Sequence, residues 1–324
     1  MSASATTAVR PGPQGQGRTW AQRLRSGDEA TYLITLACAA SVIVVTALLV
    51  FELYSRSLLA RQKFGWSFLT TSVWDPVAGQ FGALPFIYGT VITSALALLI
   101  AIPLGVGAAI FLAELAPPRV SDALTFLIEL LAAVPSVIFG LLGIFILVPA
   151  LGVVEPYLRA VLGWTPFFQG SFYGVSLFSA GVVLALMIIP FIISVSREVI
   201  LQVPNDQREA GLALGATRWE TTWDVVIPFA RKGIVASIFL ALARALGETM
   251  AVTMVIGNDP KIHASLFAPG YSIAAVVANE FTEATGDLYP SALIELGLVL
   301  FAVTIAINAV ARLLVLSTTK KGAT

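Results

Sequence analysis

Six stretches of this chain run for about twenty residues or more with almost no charge, and a backbone immersed in hydrocarbon has few shapes open to it. The stretches are residues 31–51, 85–112, 124–148, 175–195, 235–256 and 292–316. Where no water can satisfy the main chain, every N–H and C=O must find a partner inside the protein, which leaves helices and closed barrels. None of the stretches alternates in the two-residue period of a barrel strand. The expectation is an all-α membrane protein with six transmembrane helices. Apolar residues make up 57% of the 324 and charged residues only 12%, too few to coat a soluble surface and too short a chain for a large soluble domain besides the spans.

Net charge is zero, so nothing favours nucleic acid, and the placement of the ions carries the information. With the N-terminus inside, Arg10, Arg18, Arg23, Arg25, Arg119, Arg197, Arg208, Arg218, Arg231, Lys232, Arg312, Lys320 and Lys321 fall on the inner side. Only Arg56, Arg61, Lys63, Arg159 and Lys261 fall outside. This bias places both termini on the cytoplasmic side. Residues 1–30, rich in Gly, Pro, Gln, Ser and Thr, read as a disordered cytoplasmic tail, and 317–324 as a second one. Residues 31–84 hold the first span and first outer loop, and 85–316 the main transmembrane domain. Pro103, Pro135 and Pro190 lie inside expected spans and favour kinks. Trp66, Trp74, Trp164, Tyr173 and Tyr289 in the outer loops are expected at headgroup level. Cys38, without a partner in the chain, reads as a small packing residue, and the lone His263 as a loop residue rather than a metal ligand.

The polar connection at 197–232 is too long and too charged to lie in lipid. Asn205 or Asp206 is expected to cap a helix, Asp206 and Glu209 to favour its start, and Gly215 to stop it. A second short helix is expected from about Arg218 to Pro228. Glu209-Ala210-Gly211, then Gly215, then Val225-x-Ile227-Pro228 resemble the loop of ATP-binding-cassette importer permeases, in which Glu-Ala-Ala, a glycine and Ile-x-Leu-Pro recur at this spacing. Gly211 departs from the usual second alanine. The resemblance implies a type I ABC importer permease fold and a coupling helix, with Glu209, Ala210, Gly211, Gly215 and Pro228 engaging a separate ATPase. No Gly-x-x-x-x-Gly-Lys-Ser/Thr phosphate loop is present, so ATP and Mg would be bound by that partner.

Glu129, Arg244, Glu248 and Glu295 are the ionisable residues expected within spans. An arginine at a helix centre costs on the order of 2.5 to 3.5 kcal/mol, so such groups face a bundle interior or a wet cavity. Arg244 and Glu248, four residues apart, are expected on one face of the fifth span as an ion pair, serving either the substrate path or helix orientation. Glu129 and Glu295 read as structural. The string from Arg244 to Val252 resembles phosphate permeases of the PstC type, as do Phe64-Gly65-Trp66-Ser67-Phe68-Leu69, Trp74-Asp75-Pro76-Val77 and the string from Glu129 to Val137. The resemblance implies that Arg244 and Glu248 lie on the path of inorganic phosphate. It further implies a second, PstA-type permease, two ATPase subunits and an external phosphate-binding protein. Rival readings are a permease for sulfate or molybdate, an ion-coupled secondary transporter and, least supported, a membrane enzyme, for which the inventory of reactive groups is poor.

Overall fold

The computed structural model describes residues 28–320, with side chains from 31 to 313. Residues 1–27 of the expected tail and the last four residues lie outside that range. Helix α1, Asp28–Arg56, carries the first span; its apolar side chains, such as Val42 and Ile43, are exposed, as is Cys38. The chain through Glu52 forms one compact unit and the chain from Leu53 another. In the second unit the short helices α2, Leu58–Phe64, and α3, Ser67–Thr70, precede the long helix α4, Leu84–Ile110. Then come α5, Pro118–Ala132; α6, Ser136–Leu142; α7, Val148–Leu162; and α8, Leu177–Leu201. The remaining helices are α9, Asn205–Ala213; α10, Arg218–Thr221; α11, Ile227–Leu246; α12, Met250–Val255; α13, Ile273–Glu280; and α14, Leu288–Lys320.

Six helical segments are long and apolar enough to cross a membrane: Thr31–Arg56, Leu84–Leu115, Ser136–Leu162, Leu177–Leu201, Arg218–Leu246 and Leu288–Leu313. The expected number holds among the described residues, and two spans shift at both ends, the third ending at Leu162 rather than Val148 and the fifth at Leu246 rather than Ile256. The third span starts at Ser136 and not near Leu124, because Pro135 disfavours the helical conformation at Val134 and ends α5 at Ala132. Glu129 therefore sits exposed on a separate helix ahead of the span, and Pro135 lies at a junction rather than inside a helix. The fifth span begins at Arg218 instead of Val235, with Arg231 and Lys232 carried on its exposed side, where long basic stems can lie along apolar surface.

Three wide turns, in which the helix takes one extra residue, occur at Phe111–Leu115, Gly143–Leu147 and Thr222–Val226. Each is followed two residues on by a proline: Pro117, Pro149 and Pro228. A proline cannot donate to the carbonyl four residues back and its ring crowds that oxygen; widening the preceding turn relieves both problems without ending the helix. At Pro149 and Pro228 the helix runs on, so the short helix expected to stop at Pro228 is in fact the first part of the fifth span.

Span four is the centre of the bundle. Its helix α8 lies along α4 at a separation that admits no side chain at Gly181, where a Cβ would fall 2.5 Å from Leu96, or at Gly105, where one would fall 2.8 Å from Ile192. Small residues at such seams are how membrane helices gain contact without help from water. The hydroxyls of Ser196 on α8 and Ser237 on α11, both buried, meet at 2.7 Å. One apolar cluster, including Ala97, Leu184, Ile188, Ala241 and Val255, fills the middle of the bundle. A second, of Ile110, Leu112, Ile200, Val203, Val226 and Ile234, closes the end bearing α9.

The opposite end carries a folded cap. Trp74 and Tyr289, expected at a lipid headgroup level, instead belong to its core: Trp74 meets Phe81 and Phe86 edge-on at 4.8 Å, and Tyr289 stacks on Phe81 at 5.2 Å. Both donate to one oxygen of Glu280, the indole N–H at 2.9 Å and the phenol at 2.6 Å. That half-buried carboxylate gains partners inside the cap, which is why two polar aromatics turn inward. Trp66, Trp164 and Tyr173 remain exposed. Tyr271, also in the cap, accepts from the Asn279 amide at 3.0 Å, and burial pushes its phenol up to about 12. The His263 ring lies 3.7 Å from Asp259 in the same loop.

Candidate functional site

Two sets of residues singled out in the sequence lie at different levels of the bundle. The first is the α9–α10 elbow. Helix α9 begins at Asn205 with Pro204 in the capping position and no side-chain cap, so neither Asn205 nor Asp206 serves as one; proline already fixes the φ that the position needs. Asn205 Oδ1 instead accepts from Arg208 at 3.3 Å. The helix ends where expected. Gly215 has φ +90°, and its N–H donates to the Leu212 carbonyl at 3.0 Å while Ala216 reaches back to Gly211 at 3.3 Å. A left-handed residue with this reversal of hydrogen bonding is the common helix stop that glycine fits. Thr217 and Glu220 then cap α10 reciprocally: the Glu220 carboxylate accepts the Thr217 N–H at 2.7 Å, and the Thr217 hydroxyl accepts the Glu220 N–H at 3.3 Å.

Gly211 is the one buried residue of α9, and a Cβ there would lie 3.0 Å from Thr221, so the two arms of the elbow touch at this glycine. Glu209, Ala210, Gly215 and Pro228 are exposed, as is Leu214 at 90%. Trp219 and Trp223, one turn apart and exposed, stack with ring centres 5.7 Å apart. The elbow thus offers a carboxylate, small residues and apolar side chains outward on a short, doubly capped frame.

The sequence reading did not single out the ion pair beneath it. Arg208 sends its Nη2 to Glu114 Oε1 at 2.7 Å and its Nε to both carboxylate oxygens at 3.2 and 3.3 Å. Nη2 also reaches the Ile200 carbonyl at 2.9 Å, and Nη1 the Val203 carbonyl. Glu114 sits in the wide turn at the end of span two, and Ile200 in the last turn of α8. The side chains are 18% and 11% exposed. Nothing in the linear spacing joins residues 94 apart, so only the fold reveals the pair.

The second set lies where span five is interrupted. Helix α11 ends at Leu246, Gly247 to Thr249 leave the helix, and α12 starts at Met250. This break rotates Glu248 off the face that a continuous helix would have given it. Glu248, partly buried, turns forward and accepts the Ala251 N–H at 3.3 Å. The expected Arg244–Glu248 ion pair is absent; Arg244 is exposed in the last turn of α11 and makes no hydrogen bond or ion pair among the described residues. Glu295, in span six, pairs with Arg61 at 3.6 Å, and Arg61 lies over the Tyr54 ring at 3.5 Å.

The chain belongs to the family of binding-protein-dependent transport system inner membrane components, which its residues 101–320 match. It is similar along nearly its whole length to the phosphate transport system permease protein PstC of Mesorhizobium japonicum, with 46% identity over 314 residues that cover 95% of this chain and 96% of that one. PstC of Haemophilus influenzae is 45% identical over 303 residues, covering 92% and 94% of the two chains. PstC 2 of Mycobacterium tuberculosis is 38% identical over 296 residues, covering 89% and 91%. Among solved structures, a chain of a bacterial ABC transporter involved in the import of the acidic polysaccharide alginate superimposes with a TM-score of 0.57 at 17% identity, covering 90% of this chain and 98% of that one. The fold is that of a type I ABC importer permease.

Proposed function

We propose that this chain is one of two permeases of an ATP-driven importer of inorganic phosphate. It forms half of the path and takes up the work of a separate ATPase through the α9–α10 elbow. The second permease is of the PstA type, two ATPase subunits bind ATP and Mg, and a phosphate-binding protein docks on the capped face. The elbow then lies in the cytoplasm with both termini, and the chain performs no covalent chemistry.

The observation that carries this reading is Arg244: a guanidinium on a membrane helix, exposed and with no hydrogen bond or ion pair among the described residues, beside a break in that helix. An unpaired arginine in a span is costly unless it faces water or an anion. Its planar fork of donors matches the oxygens of a tetrahedral oxyanion. Glu248, three residues past the last helical turn's arginine neighbour Ala245, is a half-buried acceptor. A carboxylate favours an anion that still carries a proton to donate, as phosphate does near neutrality, over sulfate, which has none. Because neither group is locked to the other, the anion would be held weakly, as conduction requires. Glu209 and Gly215 are placed outward to engage the ATPase, and alternating exposure of the cavity follows from rocking of the two permeases.

The test is uptake of labelled phosphate by the assembled complex in vesicles, with unlabelled phosphate, arsenate, sulfate and molybdate as competitors. Competition by phosphate and arsenate alone is expected. Equal competition by sulfate would favour an importer of another oxyanion, and uptake that persists without ATP but collapses with the proton gradient would favour a secondary transporter.

A further inference from the structure

The coupling role proposed above leaves a mechanical question: what makes the bundle follow α9 when α9 is displaced. Nine residues are too few to hold a helix without outside support. The packing of α9 runs chiefly to α10 and the wide turn that follows, through Gly211 and Thr221, and so reaches span five. The chain itself joins α9 to span four through residues 202–204, and its side-chain bonds to spans two and four come from Arg208, which holds Glu114 of span two with two nitrogens and shares the Ile200 carbonyl on span four with the Val203 N–H. Both charged side chains are largely withdrawn from solvent, so this is not a surface pair that salt dissolves; removing one partner strands a buried charge.

The geometry points to Arg208 as a positioning residue, with Glu114 as its anchor, that makes the coupling helix and the inner ends of spans two and four move as one piece. Without it, a push on α9 bends the elbow about Gly211 and is absorbed there. The role rests on the transport reading but not on the identity of the transported anion. A lysine cannot replace it, because one ammonium cannot bind a carboxylate through two parallel bonds and reach two carbonyls as well.

The experiment uses the complete importer in proteoliposomes and reads phosphate imported per ATP hydrolysed. Arg208→Met is expected to keep hydrolysing ATP while that ratio falls about tenfold, within the usual range of coupling between distant sites. Arg208→Lys should fall between, and the exchanged pair Arg208→Glu with Glu114→Arg should recover part of the ratio. A role confined to folding would reduce import and hydrolysis together with the ratio unchanged, and would overturn the proposal. A second measurement covers variants that fail to assemble. In a Cys38→Ser background, spin labels at Leu214 and Leu115 of the otherwise unaltered complex should keep the same separation with and without nucleotide. A nucleotide-dependent change in that separation overturns the clamp. If the complex carries some other solute, the phosphate reading fails, while the label measurement still judges Arg208.

Discussion

Arg244 and Gly215 show how much can depend on one position and for how different a reason. Arg244→Gln removes the charge but keeps polarity and length, and phosphate uptake should fall by about 10 to 100-fold, in line with loss of a charge-assisted bidentate contact of roughly 1.5 to 3 kcal/mol. Near-normal uptake would remove it from the path. Gly215→Val acts through the backbone alone, since nothing lies within 4 Å of a Cβ there and the cost is that of holding φ +90°. That cost is about 1 to 2 kcal/mol, which should appear as roughly tenfold weaker association of the ATPase in a pull-down titration. Tyr271 supplies a pH prediction. Its folded-state value is raised to about 12, so its contribution to stability is complete below pH ~10 and is lost as pH rises toward 12. Absorbance of the ionised phenols should show a late-titrating component that Tyr271→Phe diminishes. The role of Gly215 was legible from spacing alone, because a glycine after a polar helix has few other uses. Arg244 was singled out for its charge, but its freedom from Glu248 was not, because that depends on a break at Gly247 that hydropathy does not register.

At the level of helices and turns, apolar runs predicted that spans exist better than they predicted where spans start. From Leu124 to Leu147 the sequence is apolar except for Thr125, Glu129, Pro135, Ser136 and two glycines, yet it belongs to two helices. Only the proline marks the joint, by what it does to Val134. Conversely Arg231 and Lys232 hid the continuity of the fifth span. The cap was the least legible part, since tryptophan and tyrosine serve equally well at a headgroup or around a half-buried carboxylate, and residue 280 comes near residue 74 only through folding. Trp74→Ala should therefore cost about 3 to 5 kcal/mol and lower the midpoint of thermal unfolding in detergent, as for other large cavities. Trp66→Ala, at an exposed ring, should change stability within about 0.5 kcal/mol.

For the whole molecule, the six crossings and the importer fold were readable because lipid restricts the backbone so severely. The proposed function puts the engine in a separate subunit. Vesicles containing this chain and its partner permease, but no nucleotide-hydrolysing subunit, should show no accumulation of phosphate against a gradient; full accumulation would refute the coupling scheme. The seams at Gly105 and Gly181 set how closely spans two and four can approach, and Arg208 and Glu114 tie those same spans to the elbow. The wide turn at Thr222–Val226 then sets the angular phase of everything before it relative to the helix after it. An α-helix advances about 100° per residue, and the wide turn takes up its extra residue within a single turn, so deleting one amino acid there would close it to ordinary pitch and leave Trp219 and the elbow near their present phase, whereas deleting one from the regular helix after it would swing them around the axis by roughly that angle. A one-residue gap is thus absorbed at the wide turn before Pro228, while the same gap between that proline and Leu246 would redirect the elbow without altering a single one of its side chains.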